Sequence, residues 1–189
     1  MKRLLPTALL TLSALACSGS SEHKSKADKD KSDKGGIVVV RIDKLSAKVP
    51  KDWKEVPSKS SMRAYTFQLP GAGGAKDAEL IVFRGIGGSA QANVERWQKQ
   101  FTPSEGKKRE DVIKVTEQKV GGYPALYLDA EGTYNSGMAF GPQGPQKDYR
   151  MLGVCIEIPD KPSQIILRGP TKTVAKYKKE FDDWLNAFK

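Results

Sequence analysis

The sequence predicts an α+β domain over Ile37 to Lys189: a mostly antiparallel β-sheet with one internal and one C-terminal helix packed on it. Three observations predict it. Short runs rich in β-branched and aromatic residues are joined by Gly- and Pro-containing turns. A Gly121-Gly122 pair separates two long strand-like runs. Two stretches carry apolar residues at helical spacing. Consecutive strands linked by tight turns pair antiparallel, and their apolar face must be covered by the helices.

The elements follow in order. Ile37 to Ile42 (IVVVRI) is β-branched and reads as a strand, followed by a short one over Leu45 to Val49. The turn at Val49-Pro50-Lys51-Asp52 delivers Trp53, which is expected to pack on the core. Met62 to Leu69 alternates, placing Tyr65, Phe67 and Leu69 on one face. After the Gly71 to Gly74 turn, Ala78 to Phe83 has Leu80 and Val82 on one face and Ile81 and Phe83 on the other. That pattern predicts a central strand covered on both sides. Gly85 to Gly88 breaks the chain, and Ser89 can cap a helix over Ala90 to Phe101 with Ala90, Val94, Trp97 and Phe101 in one stripe. Val112 to Val120 and Tyr123 to Tyr134 form a hairpin about Gly121-Gly122, whose primed turn wants the positive φ that glycine supplies. Tyr149 to Ile158 and Gln164 to Arg168 are strands about Pro159 to Pro162. Thr171 to Phe188 closes as a helix with Val174, Tyr177, Phe181, Trp184, Leu185 and Phe188 on its apolar face.

Ahead of this domain, Lys2 and Arg3 precede an apolar run from Leu4 to Ala16 that ends at Cys17. The run is shorter than the roughly 20 residues a spanning helix needs. A basic start, a short apolar core and small residues before a cleavage point make an export signal. With Ser13-Ala14-Leu15-Ala16-Cys17 at its end, it resembles a bacterial lipoprotein signal peptide with a lipobox. The resemblance implies removal of residues 1–16, acylation of Cys17 and a chain held on the bilayer by its lipid. The alternative is an ordinary secretory signal with an incidental cysteine. Ser18, where many inner-membrane lipoproteins have Asp, favours the outer over the inner membrane, with the domain facing the periplasm or exterior.

Residues 17–36 comprise the lipidated cysteine and a tether, SGSSEHKSKADKDKSDKGG, whose five lysines and four acids surround no large apolar residue. Such a segment buries too little to offset ordering entropy and is expected to be a disordered spacer. The formal charge of +10 falls to +8 without Lys2 and Arg3 and to +7 without the tether. A basic domain favours acidic partners, but a generally solvated lysine surface accounts for the same charge. No nucleic-acid motif is present, and an exported protein does not meet nucleic acid as its partner. If Cys17 is acylated, Cys155 has no disulfide partner. Within its apolar strand it reads as a small buried hydrophobe.

The folded part resembles the PsbP-like group of α-β-α sandwiches, which includes secreted and lipid-anchored bacterial members. The resemblance rests on Val49 to Trp53, the Ala78 to Phe83 strand, the Trp-bearing helix at Ala90 to Phe101, and the Gly121-Gly122 hairpin ahead of Ala125 to Tyr134. It implies an accessory or assembly factor and carries no site residues with it.

The sequence offers little chemistry. His23, the one histidine, lies in the tether, so Ser–His–Asp, Cys–His and His-ligated metal sites have no histidine in the domain. Asp129 and Glu131 share a strand face with Tyr127, a spacing that suits acid/base work or a cation and equally suits salt bridges to lysine. Glu110-Asp111 and Asp182-Asp183 read as ordinary surface charge. Gly85-Ile86-Gly87-Gly88 lacks a phosphate-loop fingerprint and reads as a turn whose following helix start accepts an anion weakly. The strongest binding candidate is the Gly/Pro connection Asn135 to Asp148, because its Met138 and Phe140 either capture a partner or pin the connection to the domain. No catalytic residue, metal site or cofactor is expected. The expected role is a non-enzymatic binding or assembly module for another envelope component, with a protein partner besides the bilayer. The alternative is a carrier or sensor of a small apolar or anionic ligand, which a pocket lined by Trp97, Tyr127 or Trp184 would support.

Overall fold

A computed structural model of the chain describes residues 37–136, 144–160 and 162–189. The strands are β1 (Val39–Ile42), β2 (Leu45–Lys48), β3 (Lys54–Glu55), β4 (Arg63–Leu69), β5 (Ala78–Arg84), β6 (Phe101–Thr102), β7 (Ile113–Val120), β8 (Tyr123–Tyr134), β9 (Gln146–Ile156) and β10 (Ser163–Pro170). The helices are α1 (Ala90–Gln98), α2 (Arg109–Val112) and α3 (Thr171–Asn186). The fold is α+β and the sheet is antiparallel, in the order β3-β4-β5-β10-β9-β8-β6, with β7 also paired to β8.

Side chains alternate between the two faces of each strand, and both faces are buried. On one face Leu80 and Val82 join Ile165, Leu167, Leu152 and Val154 under α3. On the other, Leu128, Ala130, Met151, Cys155 and Ile166 pack with Val94 and Trp97 of α1. The two-sided pattern of β5 follows from its place between β4 and β10: Leu80 and Val82 lie in the core under α3, while Ile81 and Phe83 face Trp97, Ile166 and the segment holding Ser60 and Met62.

α3 presents Val174, Tyr177, Phe181, Trp184 and Leu185 to the sheet, all buried. Each such side chain contributes about 1.5–3 kcal/mol on burial. Trp53 meets this layer as expected, edge-on to Trp184 with centroids 5.2 Å apart, and its Nε1 donates to Glu180 Oε2 at 2.8 Å. The β1–β2 hairpin adds Val40, Ile42, Leu45 and Ala47 to the same core. At the β7–β8 turn, Gly121 and Gly122 have φ of 56° and 87°, the positive values that a two-residue primed turn requires.

The structure departs from the sequence reading at several element ends, and β3, β6 and α2 are additional short elements. α1 ends at Gln98, and Phe101 belongs to β6, where it pairs with Tyr134 and stays buried. The chain turns at Gln100, whose N donates to Trp97 O, so the apolar stripe continues in a strand. A one-turn helix, α2, precedes β7. β9 starts at Gln146, three residues early, because Gln146 pairs with Tyr134 across a bulge in β9, where Asp148 has a positive φ of 51°. Among the described residues, no helix is long and apolar enough to cross a membrane.

Candidate functional site

The sheet face beneath α1 carries a buried charge cluster. Glu79 on β5 lies opposite Arg168 on β10 in the ladder, so both side chains emerge on the same face. Arg168 donates from Nη2 and Nε to Glu79 Oε2 at 2.9 and 3.3 Å, and from Nη1 to the Tyr134 hydroxyl at 3.1 Å. Arg63, placed opposite Phe83 at the far end of β5, reaches back along that strand and donates from Nη1 to Glu79 Oε1 at 2.7 Å. Both guanidinium groups are buried, with Arg63 7 % and Arg168 8 % exposed. Burial pushes the Glu79 carboxyl up, but Arg168 and Arg63 outweigh it and hold it below the ordinary range. Tyr149 stacks on Tyr134 with centroids 5.1 Å apart, and burial raises its hydroxyl to about 12.

Two hollows adjoin this cluster. α1 packs across β8 and β9, leaving the β4–β5 end of the face to the segment 56–62. That segment is tied to β4 through Val56 N to Thr66 O and through the Ser58 and Thr66 hydroxyls. Beneath it is a cleft of about 530 Å³ lined by Val56, Pro57, Lys59, Thr66, Glu79 and Arg168 among others. Beside it, a cavity of about 80 Å³ is bounded by Met62, Ile81, Phe83, Trp97, Met151 and Ile166, with Arg63 and Arg168 in its wall. A third hollow, about 610 Å³, lies at the start of α1 and is lined mainly by exposed residues such as Gln91, Glu117, Lys119 and Glu157.

The residues singled out from the sequence fall elsewhere. Cys17 and the pair Met138 and Phe140 lie outside the described residues. Asp129 and Glu131 do share a cleft, about 220 Å³, with Lys107, Lys114 and Arg150. The partner of Asp129 is Arg150 rather than a lysine: Nε and Nη2 donate to its two oxygens at 2.8 and 2.7 Å. Such a fork holds the carboxylate as an acceptor. The Tyr127 hydroxyl is turned away to Asp182 Oδ1 at 2.8 Å. Asp182 is thus a tie between α3 and the sheet, not plain surface charge. Ser89 Oγ accepts from Ala92 N and Gly87 O accepts from Asn93 Nδ2, so the Gly85 to Ser89 turn serves to cap α1. Cys155 is buried and free. Of the aromatics considered for a pocket, Trp97 lines the 80 Å³ cavity, whereas Tyr127 and Trp184 belong to the core under α3.

Sequence reasoning passed over Arg63, Glu79 and Arg168. Their signal was present: a carboxylate and two guanidiniums inside otherwise apolar strands, AELIVFR and SQIILRGP for two of them, require partners when buried.

This architecture recurs among solved structures. The cyanobacterial PsbP protein (CyanoP) of Synechocystis sp. PCC 6803 superposes with a TM-score of 0.51 at 16% identity, covering 84% of this chain and 97% of that one. The domain is PsbP-like in fold. A Pseudomonas aeruginosa protein of unknown function, PA94, has a TM-score of 0.46 at 17% identity over 80% of this chain and 95% of its own. LpqN of Mycobacterium tuberculosis, a protein involved in cell envelope biogenesis, has a TM-score of 0.45 at 13% identity over 76% and 78%. No family model and no curated protein matches the sequence.

Proposed function

We propose that this chain is a lipid-anchored protein of the bacterial envelope whose PsbP-like domain binds or assembles another envelope component without catalysing a reaction. The acyl chains on Cys17 hold it to the bilayer, outer membrane in preference to inner. Residues 18–36 space the domain from the surface, and a protein is its partner. The observation that carries this reading is the unequal covering of the sheet. α3 spans one face, while α1 leaves the β4–β5 end of the other to clefts. The β8–β9 connection, which bears Met138 and Phe140, departs beside them: Ser136 O accepts from Gln100 Nε2, and Gln100 lines the smaller cavity. A rigid sheet with a long connection at its rim is a common way to present a recognition surface.

The test is crosslinking in intact cells followed by mass spectrometry of what copurifies, with Cys17→Ser as the unanchored control. One specific protein, lost in that control and weakened by Met138→Ala with Phe140→Ala at unchanged melting temperature, supports the reading. A large loss of melting temperature in the double variant marks the pair as core. No protein in either sample overturns the assembly role and favours a carrier of a small ligand. That second reading has its own support in the cavity at Trp97, and native mass spectrometry of the purified protein tests it through retained ligand mass.

A further inference from the structure

We infer that the outer edge of β7 pairs with the same edge of a second copy of this chain. The two strands run antiparallel about a two-fold axis at Gln118, with Glu117 of each copy opposite Lys119 of the other. The inference goes beyond the envelope reading and does not rest on it.

β7 is the long open edge of the sheet. The opposite edge, β3, has two residues, whereas β7 has eight in unbroken register with β8 and contains no proline. Open edges of this kind are normally shortened, bulged or covered. Which groups face outward follows from β8. Glu157 N donates to Pro124 O, so the even-numbered residues of β8 bond towards β9 and the odd-numbered ones towards β7. Those odd-numbered residues meet even-numbered residues of β7. Val115, Glu117 and Lys119 therefore turn their N–H and C=O groups away from β8, and among the described residues no hydrogen bond reaches them. Ile113 already donates its N–H to Arg109 O, so the open stretch begins at Val115.

Charge decides the occupant. Glu117 and Lys119 are exposed and, two residues apart on one strand, share a face. Laid antiparallel against itself about Gln118, this acid-x-base spacing is its own complement. Glu117 of each copy meets Lys119 of the other, and each such pair exchanges two backbone hydrogen bonds besides its ion pair. A strand of another protein needs the matching sequence, whereas a second copy has it by symmetry. Neighbouring two-fold registers lack this match. One centred on Glu117 sets that carboxylate against itself, and one centred on Thr116 sets Glu117 against Val115 and Lys119 against Ile113. Lysine on an edge usually deters pairing, and here Glu117 of the second copy neutralises it. So short a contact lies at the low end of interface sizes, so the association is weak.

The experiment is sedimentation equilibrium of the purified mature protein carrying Cys17→Ser, at low salt. A monomer–dimer equilibrium with a Kd of about 0.1 mM is expected. Glu117→Lys and Lys119→Glu each set like charges opposite one another at both symmetry-related pairs, and each should weaken the dimer at least about tenfold. The two changes combined exchange the partners and should restore the Kd to within about threefold of the starting protein. Both side chains are exposed, so the fold is kept. Position 118 faces its own copy with Cα atoms about 4.5 Å apart, within reach of a disulfide. Gln118→Cys should therefore give a covalent dimer on mild oxidation. Thr116→Cys is the control, because its two copies lie about 13 Å apart along the strands. The buried Cys155 is common to both variants. A chain that stays monomeric at about 1 mM overturns the inference and leaves the edge to a strand of another protein. So does a dimer that ignores the single charge reversals, one that the double reversal fails to restore, or one that Thr116→Cys captures as readily as Gln118→Cys. None of these results bears on the envelope partner, which crosslinking in cells reads separately.

Discussion

The indole of Trp97 lies directly against the backbone of Gly153: a Cβ on Gly153 would sit 2.8 Å from both Cε3 and Cζ3 of the ring. Glycine inside an apolar strand often marks such an approach. Here it lets α1 settle onto β9, with the Trp97 ring filling the place of a side chain.

Gly153→Ala should therefore destabilise the domain by about 1–3 kcal/mol through overpacking. Trp97 is 3 % exposed and seated on β9, and the space open to its ring is the 80 Å³ cavity that it lines. Urea denaturation of wild type and variant checks this. A combined Gly153→Ala and Trp97→Phe protein should cost less than the sum of the single changes, because the two residues share one volume.

The Arg63–Glu79–Arg168 cluster makes stability depend on acid. The carboxyl of Glu79 is held below its ordinary value of 4.5 in the fold, so the unfolded chain takes up its proton first as pH falls. The contribution is complete above about 4.5 and disappears as pH drops through the lower, folded value. Glu79→Gln should cost about 2–3 kcal/mol near pH 7, since it removes the carboxylate that accepts from both Arg63 and Arg168. Its stability should also change less between pH 5 and pH 3 than that of wild type. Denaturant midpoints at both pH values measure the difference.

Much of the fold can be read from local pattern because local pattern causes it. Period-two alternation in β4 and β5, the paired glycines at 121 and 122, and the Ser89 cap each act within a few residues. The end of α1 is not legible locally because Phe101 continues a helical stripe, while its burial comes from packing against Tyr134, which is distant in sequence. The charge cluster was invisible for a similar reason. It exists because β10 inserts between β5 and β9, placing Arg168 opposite Glu79, 89 residues earlier. Nothing in the spacing within either strand names the strand beside it.

Cys155 should be inert in the native protein. It is 3 % exposed, and burial raises its thiol to about 12, so almost no thiolate exists at pH 8. In a Cys17→Ser background, where Cys155 is the remaining cysteine, a maleimide should label it only after denaturation. Labelling of the folded protein within minutes at pH 8 would show that α1 detaches from β9, since Cys155 shares the core formed by Val94 and Trp97.

Two adjacent aspartates on α3 separate a tie from a surface pair. Asp182 accepts from the Tyr127 hydroxyl on β8 at 2.8 Å and from Lys178 at 2.7 Å. Asp183 pairs with Lys179 in water, their side chains 63% and 87% exposed. Burial and the Asp182 hydrogen bond both raise the Tyr127 hydroxyl, which keeps its proton and remains the donor through alkaline pH. Asp182→Ala strands that hydroxyl at the edge of the core and should cost about 1–2 kcal/mol. Asp183→Ala should leave the denaturation midpoint unchanged, because an exposed pair is screened and its side-chain ordering offsets the attraction. Tyr127→Phe removes donor and demand together, so it should cost less than Asp182→Ala, and the double variant should be no less stable than Asp182→Ala alone. Equal losses at Asp182 and Asp183 would mean that α3 is held by its apolar face without help from this bond.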